Sequence, residues 1–504
     1  MHFVDTFFMK KCPRKEIIVT FAAEKQHAMQ EVIGRKPEQK ELERLYNSGR
    51  PEFVAVYGRR RVGKTFLIRE HFSGRLSFYH TAISPADFQG NKAELKKEQL
   101  RTFCSSIRQY GGDWEEYPQD WFDAFACLKS LLEKHDGNTR QVVFIDELPW
   151  MDTYKSGFVS ALEHFWNGWG ASQANLMLIV CGSAASWMND NIINNKGGLY
   201  GRLTFEMHLH PFNLGECELF YQSRGISMDR YDQLQSYMVF GGIPYYLDYL
   251  KPENSLPENI DDLFFSKTAR LKKEFERLYG SLFSNSGKYI EIVRLLSTKR
   301  NGFTRKEIAE KTNIAYNGLL TKMLQSLENS DFISSYTFFG GNARDVYYKL
   351  TDMFSLFYLN FIDRKSVREG FWTKNIRTPE LNTWRGLAFE DVCLIHQSQI
   401  KKALGFGAVD AVAAPWRSKN NSAQVDLLFD RSDRVVNLCE MKFVADDFSI
   451  SKDYDLELRR KVERFVEDTK CKKSVHLSLV TTYGLDRNMY SGRFQSVVTM
   501  DDMF

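Results

Sequence analysis

One octapeptide constrains this chain more than any other feature. Gly58-Arg59-Arg60-Arg61-Val62-Gly63-Lys64-Thr65 fits the pattern G-x-x-x-x-G-K-[ST] in full. A short apolar strand at 53–57 precedes it and an apolar helix running through Phe72 follows it. In that setting the glycines let backbone N–H groups wrap phosphates at a helix N-terminus. Lys64 is placed to reach the β- and γ-phosphates of a nucleotide such as ATP, and the Thr65 hydroxyl to bind Mg²⁺. All eight residues are therefore candidate nucleotide ligands.

The partner of such a loop is a carboxylate at the end of a neighbouring buried strand. Val142-Val143-Phe144-Ile145-Asp146-Glu147 supplies it. Asp146 is expected to hold Mg²⁺ and Glu147 to polarise the attacking water. A further apolar strand at 176–181 leads to Ser183, either a sensor of the γ-phosphate or a helix cap. Arg202 is either a charge-supplying arginine finger, within one chain or between two, or a plain surface arginine. Strands alternating with helices through this region predict a mostly parallel sheet covered on both faces.

The rest of the 504 residues has to be accommodated around that core, and the length suggests about three or four domains. From 214 the strand signals stop and helical patterns dominate. Residues 286–350 read as a helix-turn-helix followed by a hairpin with its turn at Gly340-Gly341, with Ala309 small enough for close helix crossing. That segment holds ten Lys and Arg against six Asp and Glu. Lys299, Arg300 and Lys322 are candidate phosphate contacts to DNA; the alternative is that the unit packs on the core and touches no nucleic acid.

Near the C-terminus a strand bearing Asp426 and a strand ending in Glu440-Met441-Lys442 form a predicted hairpin, spaced Asp-x13-Glu-x-Lys. Period-two geometry puts Glu440 and Lys442 on one face, and Glu390 on an upstream helix offers another acid. Such carboxylates can bind Mg²⁺ through oxygen, and the lysine can orient or deprotonate a metal-activated water.

Composition narrows the classes. The balance of 68 Lys and Arg against 64 Asp and Glu, net +4, excludes a polycation. No run of 18 apolar residues exists, so no membrane-spanning helix is expected. Eight scattered cysteines without a C-x-x-C pair argue against a zinc ribbon or a disulfide scaffold. A reducing cytoplasm is the simplest setting.

Ile33-Gly34-Arg35, the loop at 57–65, the segment 144–150, Gly201-Arg202-Leu203, Pro211-Phe212 and Gly241-Gly242-Ile243-Pro244-Tyr245 together resemble the archaeal-type ATPases, P-loop proteins allied to the AAA+ and STAND groups. The resemblance covers roughly residues 31–350 and implies an AAA+-like core, a helical lid and a winged helix. Residues 380–485 resemble the PD-(D/E)xK restriction-endonuclease-like fold. That resemblance implies an active site of Asp426, Glu440 and Lys442, with Glu390 as the helical acid. Val425 stands where the motif has proline.

The expected organisation is α/β throughout. It comprises an extension at 1–31, a P-loop core at 32–213, a helical lid at 214–285, a winged helix at 286–352, a helical connection at 353–381 and a nuclease-like domain at 382–504. The expected function is ATP hydrolysis coupled to DNA association and a nucleotide-gated, metal-dependent nuclease, in a chain able to form a homo-oligomer. The alternative is a STAND-like switch or scaffold whose nuclease-like domain is inactive. A small-molecule kinase would leave the 286–350 unit unexplained.

Overall fold

The computed structural model describes residues 31–85, 87–113, 117–283, 285–363 and 368–504. All but Glu31 of the expected extension lies outside the described residues.

Five strands, β1 (Glu52–Tyr57), β2 (Leu76–Thr81), β3 (Gln141–Asp146), β4 (Leu176–Gly182) and β5 (Phe205–His208), form a sheet in the order β2-β3-β4-β1-β5. Every pairing is parallel. β3 and β4 are buried along their whole length. Their unbroken apolar runs follow from cover on both faces. Val54, Val56, Val142, Phe144, Met177 and Ile179 share one core with helices Lys36–Tyr46 and Lys64–His71. Phe53, Ala55, Val143, Ile145, Leu178 and Val180 face the other core, built with helices Lys92–Gln109, Trp121–Glu133 and Phe158–Gly168.

Helices Leu214–Ser223 and Arg230–Phe240 follow, the first opened by a capping box between Asn213 and Glu216. The Gly241-Gly242 pair then reverses the chain into helix Pro244–Leu247. Gly242 has φ +66°, and a Cβ there would stand 2.2 Å from the Phe212 carbonyl oxygen. The close approach is also a bond, since Phe212 N donates to Gly242 O at 2.8 Å. Only glycine meets both demands.

Residues 286–350 fold into helices Ser286–Leu296, Arg305–Lys311 and Gly318–Asn329. Beside them lies an antiparallel sheet of β6 (Phe303–Thr304), β7 (Ile333–Tyr336) and β8 (Tyr347–Leu350), ordered β6-β8-β7. The stretch read as a connection is not peripheral. Helix Met353–Phe361 packs on helix Arg230–Phe240, and Phe357, Phe361, Trp372 and Trp384 form one aromatic cluster.

The C-terminal sheet contains β9 (Ala411–Arg417), β10 (Gln424–Arg431), β11 (Val435–Lys442), β12 (Ser474–Thr481) and β13 (Ser496–Val498), ordered β13-β12-β11-β10-β9. β9, β10 and β11 are antiparallel neighbours, while β11, β12 and β13 run parallel. Helix Lys452–Thr469 makes the crossover a parallel β11–β12 pair requires. It covers one face, and helix Pro379–Ile395 covers the other. No described helix is long and apolar enough to cross a membrane. The seven described cysteines are all free and all but Cys471 are buried, as expected of small apolar side chains.

Candidate functional site

The loop at 58–63 leaves the carboxyl end of β1 and delivers Lys64 into the first turn of its helix. Gly58 (φ +133°) and Gly63 (φ +92°) take backbone shapes that side chains resist. At Gly58 a Cβ would also stand 2.5 Å from the Leu209 carbonyl. Val62 is buried beneath the loop. Lys64 is buried too, and its ammonium donates to the carbonyls of Gly58 (2.9 Å) and Arg59 (2.8 Å). The lysine thus holds the loop in shape from inside.

Thr65 Oγ1 donates to Asp146 Oδ2 at 2.7 Å, joining the loop to the end of β3. A hydroxyl and a carboxylate side by side are hard oxygen donors of the kind Mg²⁺ takes. Glu147, the next residue, has φ +54°. Its carboxylate accepts from both the backbone N–H (3.1 Å) and the hydroxyl (2.9 Å) of Ser183, at the end of β4. Burial pushes the Glu147 carboxyl upward, against the charge of Lys64. Ser183 therefore caps no helix with its side chain; it orients Glu147. Arg202 is exposed and is not among the residues lining the cavity at the loop.

That cavity, about 530 Å³, runs from Lys64 and Thr65 outward between Val32-Ile33 on one side and Phe212, Phe220, Pro244 and Tyr245 on the other. These apolar side chains, set among charged ones such as Arg224 and Asp248, suit a flat heterocycle. Apart from the loop residues, none of the lining stands out as a ligand from sequence. The signal was there in the Pro211-Phe212 and Gly241–Tyr245 motifs, but their meaning depends on a close approach between segments thirty residues apart.

Residues 33–250 match a family described as an ATPase domain predominantly from Archaea. Over this segment the chain is similar to that ATPase domain, and the phosphate-binding loop lies within it. An uncharacterized protein of Methanocaldococcus jannaschii is 24% identical over 366 residues, 71% of this chain and 76% of its own. Among solved structures, a Walker-type ATPase of Pyrococcus abyssi is similar over 65% of this chain and 96% of its own, at 21% identity and a TM-score of 0.46. The ORC2 protein of Aeropyrum pernix is similar over 66% of this chain and 94% of its own, at 13% identity and a TM-score of 0.39.

Two of the three loop arginines pair with acids outside residues 33–250. Arg59 is buried, ion-paired with Asp352 and set 4.8 Å from the Phe332 ring. Asp352 also caps helix Met353–Phe361 through Ser355 N. Arg61 pairs with Glu274 at the start of helix Glu274–Leu282 and lies 4.3 Å from the Tyr245 ring. Arg60 stays local, 5.7 Å from the Trp150 ring.

The 286–350 unit is engaged on both sides. Helix Gly318–Asn329 packs on Ala185–Met188, the short helix after β4. The β7–β8 hairpin lies on the C-terminal sheet: Phe339 N donates to Pro415 O at 2.9 Å, the Phe339 ring stacks on Phe465, and Arg417 covers Phe338. Arg300 is committed to Glu390 (2.6 Å), and Lys299 lies 3.4 Å from Glu307. Lys322 is exposed.

The four C-terminal residues expected to form a metal-dependent site are not brought together. Leu427 pairs with Cys439, so regular pairing would set Asp426 opposite Glu440 on one face. A register irregularity between Val425 and Leu428 intervenes. Asp426 lines a cavity with Arg300, Tyr336 and Lys349, on the side of helix Pro379–Ile395. Glu390 is on that side as well. Burial, opposed by Arg300 and assisted by Asp426, raises its carboxyl to about 7. Glu440 and Lys442 face helix Lys452–Thr469. There Glu440 is ion-paired with Lys461 and accepts from Tyr454 Oη at 3.0 Å, while Lys442 sits 4.8 Å from the Tyr454 ring. The expected ligand set Glu390, Asp426 and Glu440 is thus split across the sheet, and among the described residues it is not a convergent group.

Proposed function

We propose that this chain is an ATP-binding and ATP-hydrolysing switch. In this reading residues 286–352 are a winged helix and residues 382–504 a nuclease-like domain that serves as a binding module rather than a cutting one. The observation that carries the proposal is the outward course of Arg59 and Arg61. A loop whose own side chains are ion-paired with Asp352 and Glu274 cannot change shape at the phosphates without straining the elements those acids belong to.

In this reading the N–H groups of 58–65 cradle the phosphates of ATP, and Lys64 leaves its two carbonyls for the β- and γ-oxygens. Thr65 and Asp146 would hold Mg²⁺, which neutralises charge developing on the γ-phosphate. Glu147, held by Ser183, orients and polarises the attacking water. Arg202, exposed and outside the cavity, would supply charge to the nucleotide of a second copy. Engagement of both the 318–329 helix and the β7–β8 hairpin inside the molecule supports a relay role for the winged helix over DNA reading. The split acids support a non-catalytic C-terminal module.

The test measures ATP hydrolysis and plasmid cleavage on the same preparations, with Mg²⁺ or Mn²⁺. Wild type should hydrolyse ATP and leave DNA intact, and Lys64→Ala should lose hydrolysis by at least about 100-fold. DNA cleavage that disappears in Glu440→Ala would overturn the non-catalytic reading.

A further inference from the structure

Two histidines and one aspartate, His210 and Asp331 being 121 residues apart, meet directly behind the phosphate-binding loop. Leu209 N donates to Tyr57 O at 2.8 Å, so extended backbone continues past the end of β5. Alternation then puts His208 and His210 on one side, with ring centroids 3.9 Å apart. Asp331, at φ +58° just beyond helix Gly318–Asn329, presents its carboxylate to both. Oδ2 lies 3.3 Å from His208 Nε2 and Oδ1 lies 3.0 Å from His210 Nδ1. Ligand atoms of all three residues fall within 4.8 Å of one another.

Hydrogen bonding accounts for only half of this arrangement. His210 Nδ1 bonds to Asp331. His208 Nε2 and Asp331 Oδ2 are buried and have no hydrogen-bond partner, although they face each other. Two buried ligand atoms that face each other without a bond call for an explanation, and a bound ion is one that fits both. In a tetrahedral zinc site with bonds of about 2.0–2.1 Å, neighbouring ligand atoms stand roughly 3.3 Å apart. The two histidine–aspartate separations, 3.3 and 3.0 Å, have about that size. Two imidazoles this close repel if both are protonated, whereas a metal uses both neutral. The Tyr57 ring, stacked on His208 at 4.8 Å, fixes one ring in place. Arg35 donates to the His210 carbonyl and has Glu38 and Glu216 within 4 Å to offset its charge. The His210 side chain is 61% exposed, which leaves an entry path and a coordination position for water.

We propose that His208, His210 and Asp331 bind one divalent transition-metal ion, zinc by preference, clamping the 286–350 unit to the ATPase domain. Two imidazoles and one carboxylate favour zinc over Mg²⁺. The ion would sit against the phosphate-binding loop itself, since a Cβ on Gly58 would stand 3.2 Å from His208 Cδ2. This site is separate from the nucleotide site and from its Mg²⁺.

The experiment uses the full chain, purified without a metal-affinity tag, stripped with chelator and titrated with Zn²⁺ and with Co²⁺. Wild type should take up about one ion per chain, develop the visible absorption of four-coordinate cobalt, and melt at higher temperature with zinc than without. Asp331→Asn and His210→Ala should each weaken binding by at least the roughly 10–100-fold that even outer partners of a ligand contribute. His210 is exposed, so its variant folds even if the Asp331 variant does not. Zinc and cobalt binding no tighter to wild type than to His210→Ala, with no cobalt absorption, would show a plain histidine–aspartate ion pair and overturn the proposal.

Discussion

Glu147 is the residue on which hydrolysis should turn. Glu147→Gln keeps the size and the Ser183 contacts but removes the charge. It should bind ATP with near-normal affinity and lose at least about 100-fold in kcat, within the range general bases supply. Ser183→Ala removes one of two donors to that carboxylate and should cost about tenfold in kcat with little change in KM. A second residue sets an acid limit on stability. His396 is fully buried and neutral, with Nε2 accepting from Leu214 N (3.0 Å) and Nδ1 beside Val392 O (2.9 Å). Unfolded, such a ring takes up a proton near 6.5; folded, burial lowers it to about 4. The unfolded chain therefore binds the extra proton between these values. Stability is full above about 6.5, falls as pH drops toward about 4, and is level below, by about 3 kcal/mol in all. Melting curves of His396→Gln should show a clearly smaller loss between pH 7.5 and 5 than wild type. At this scale the sequence was most legible where residues act as a contiguous run. Gly58 to Thr65 and the Asp146-Glu147 pair needed only a strand and a helix around them. The partners of Arg59 and the Ser183–Glu147 contact depend on which distant chain arrives alongside, and no local pattern carries that.

Elements were legible from periodicity and caps. The strands β1, β3, β4, β10 and β11 were found as apolar runs. The helix after Thr304 is legible as the first of a helix-turn-helix with the small Ala309, and a capping box opens it. What periodicity could not convey was the irregularity in β10. One residue out of register moved Asp426 to the opposite face from Glu440, and with it went the expected metal site. The Gly241-Gly242 motif was visible as a marker, while its reason, the 2.2 Å approach to Phe212, is tertiary. Gly242→Ala should fail to fold or lose more than about 3 kcal/mol of stability by urea unfolding, because the atom it strikes is backbone. Phe339→Ala should loosen the β7–β8 hairpin from β9 and expose 337–346 to limited proteolysis, at about 1–2 kcal/mol for the lost stacking and burial.

Across the whole molecule the decisive feature is a phosphate-binding loop wired to two other parts by side chains, through Asp352 and Glu274. Arg59 to Asp352 is a pair in which each partner is at most 2% exposed. Breaking it from one side leaves an unpaired buried charge and should cost about 3–5 kcal/mol, whereas Arg59→Met with Asp352→Asn should recover most of that. The most direct measurement is hydrogen–deuterium exchange of the full chain, with Mg²⁺ and a non-hydrolysable ATP analogue in one arm and ADP in the other. The account predicts that exchange differs between the two nucleotides not only at 58–65 but also at 274–282 and 332–352, and that Arg59→Met with Asp352→Asn removes the difference at 332–352. Nucleotide-dependent changes confined to the loop and the cavity walls would contradict it.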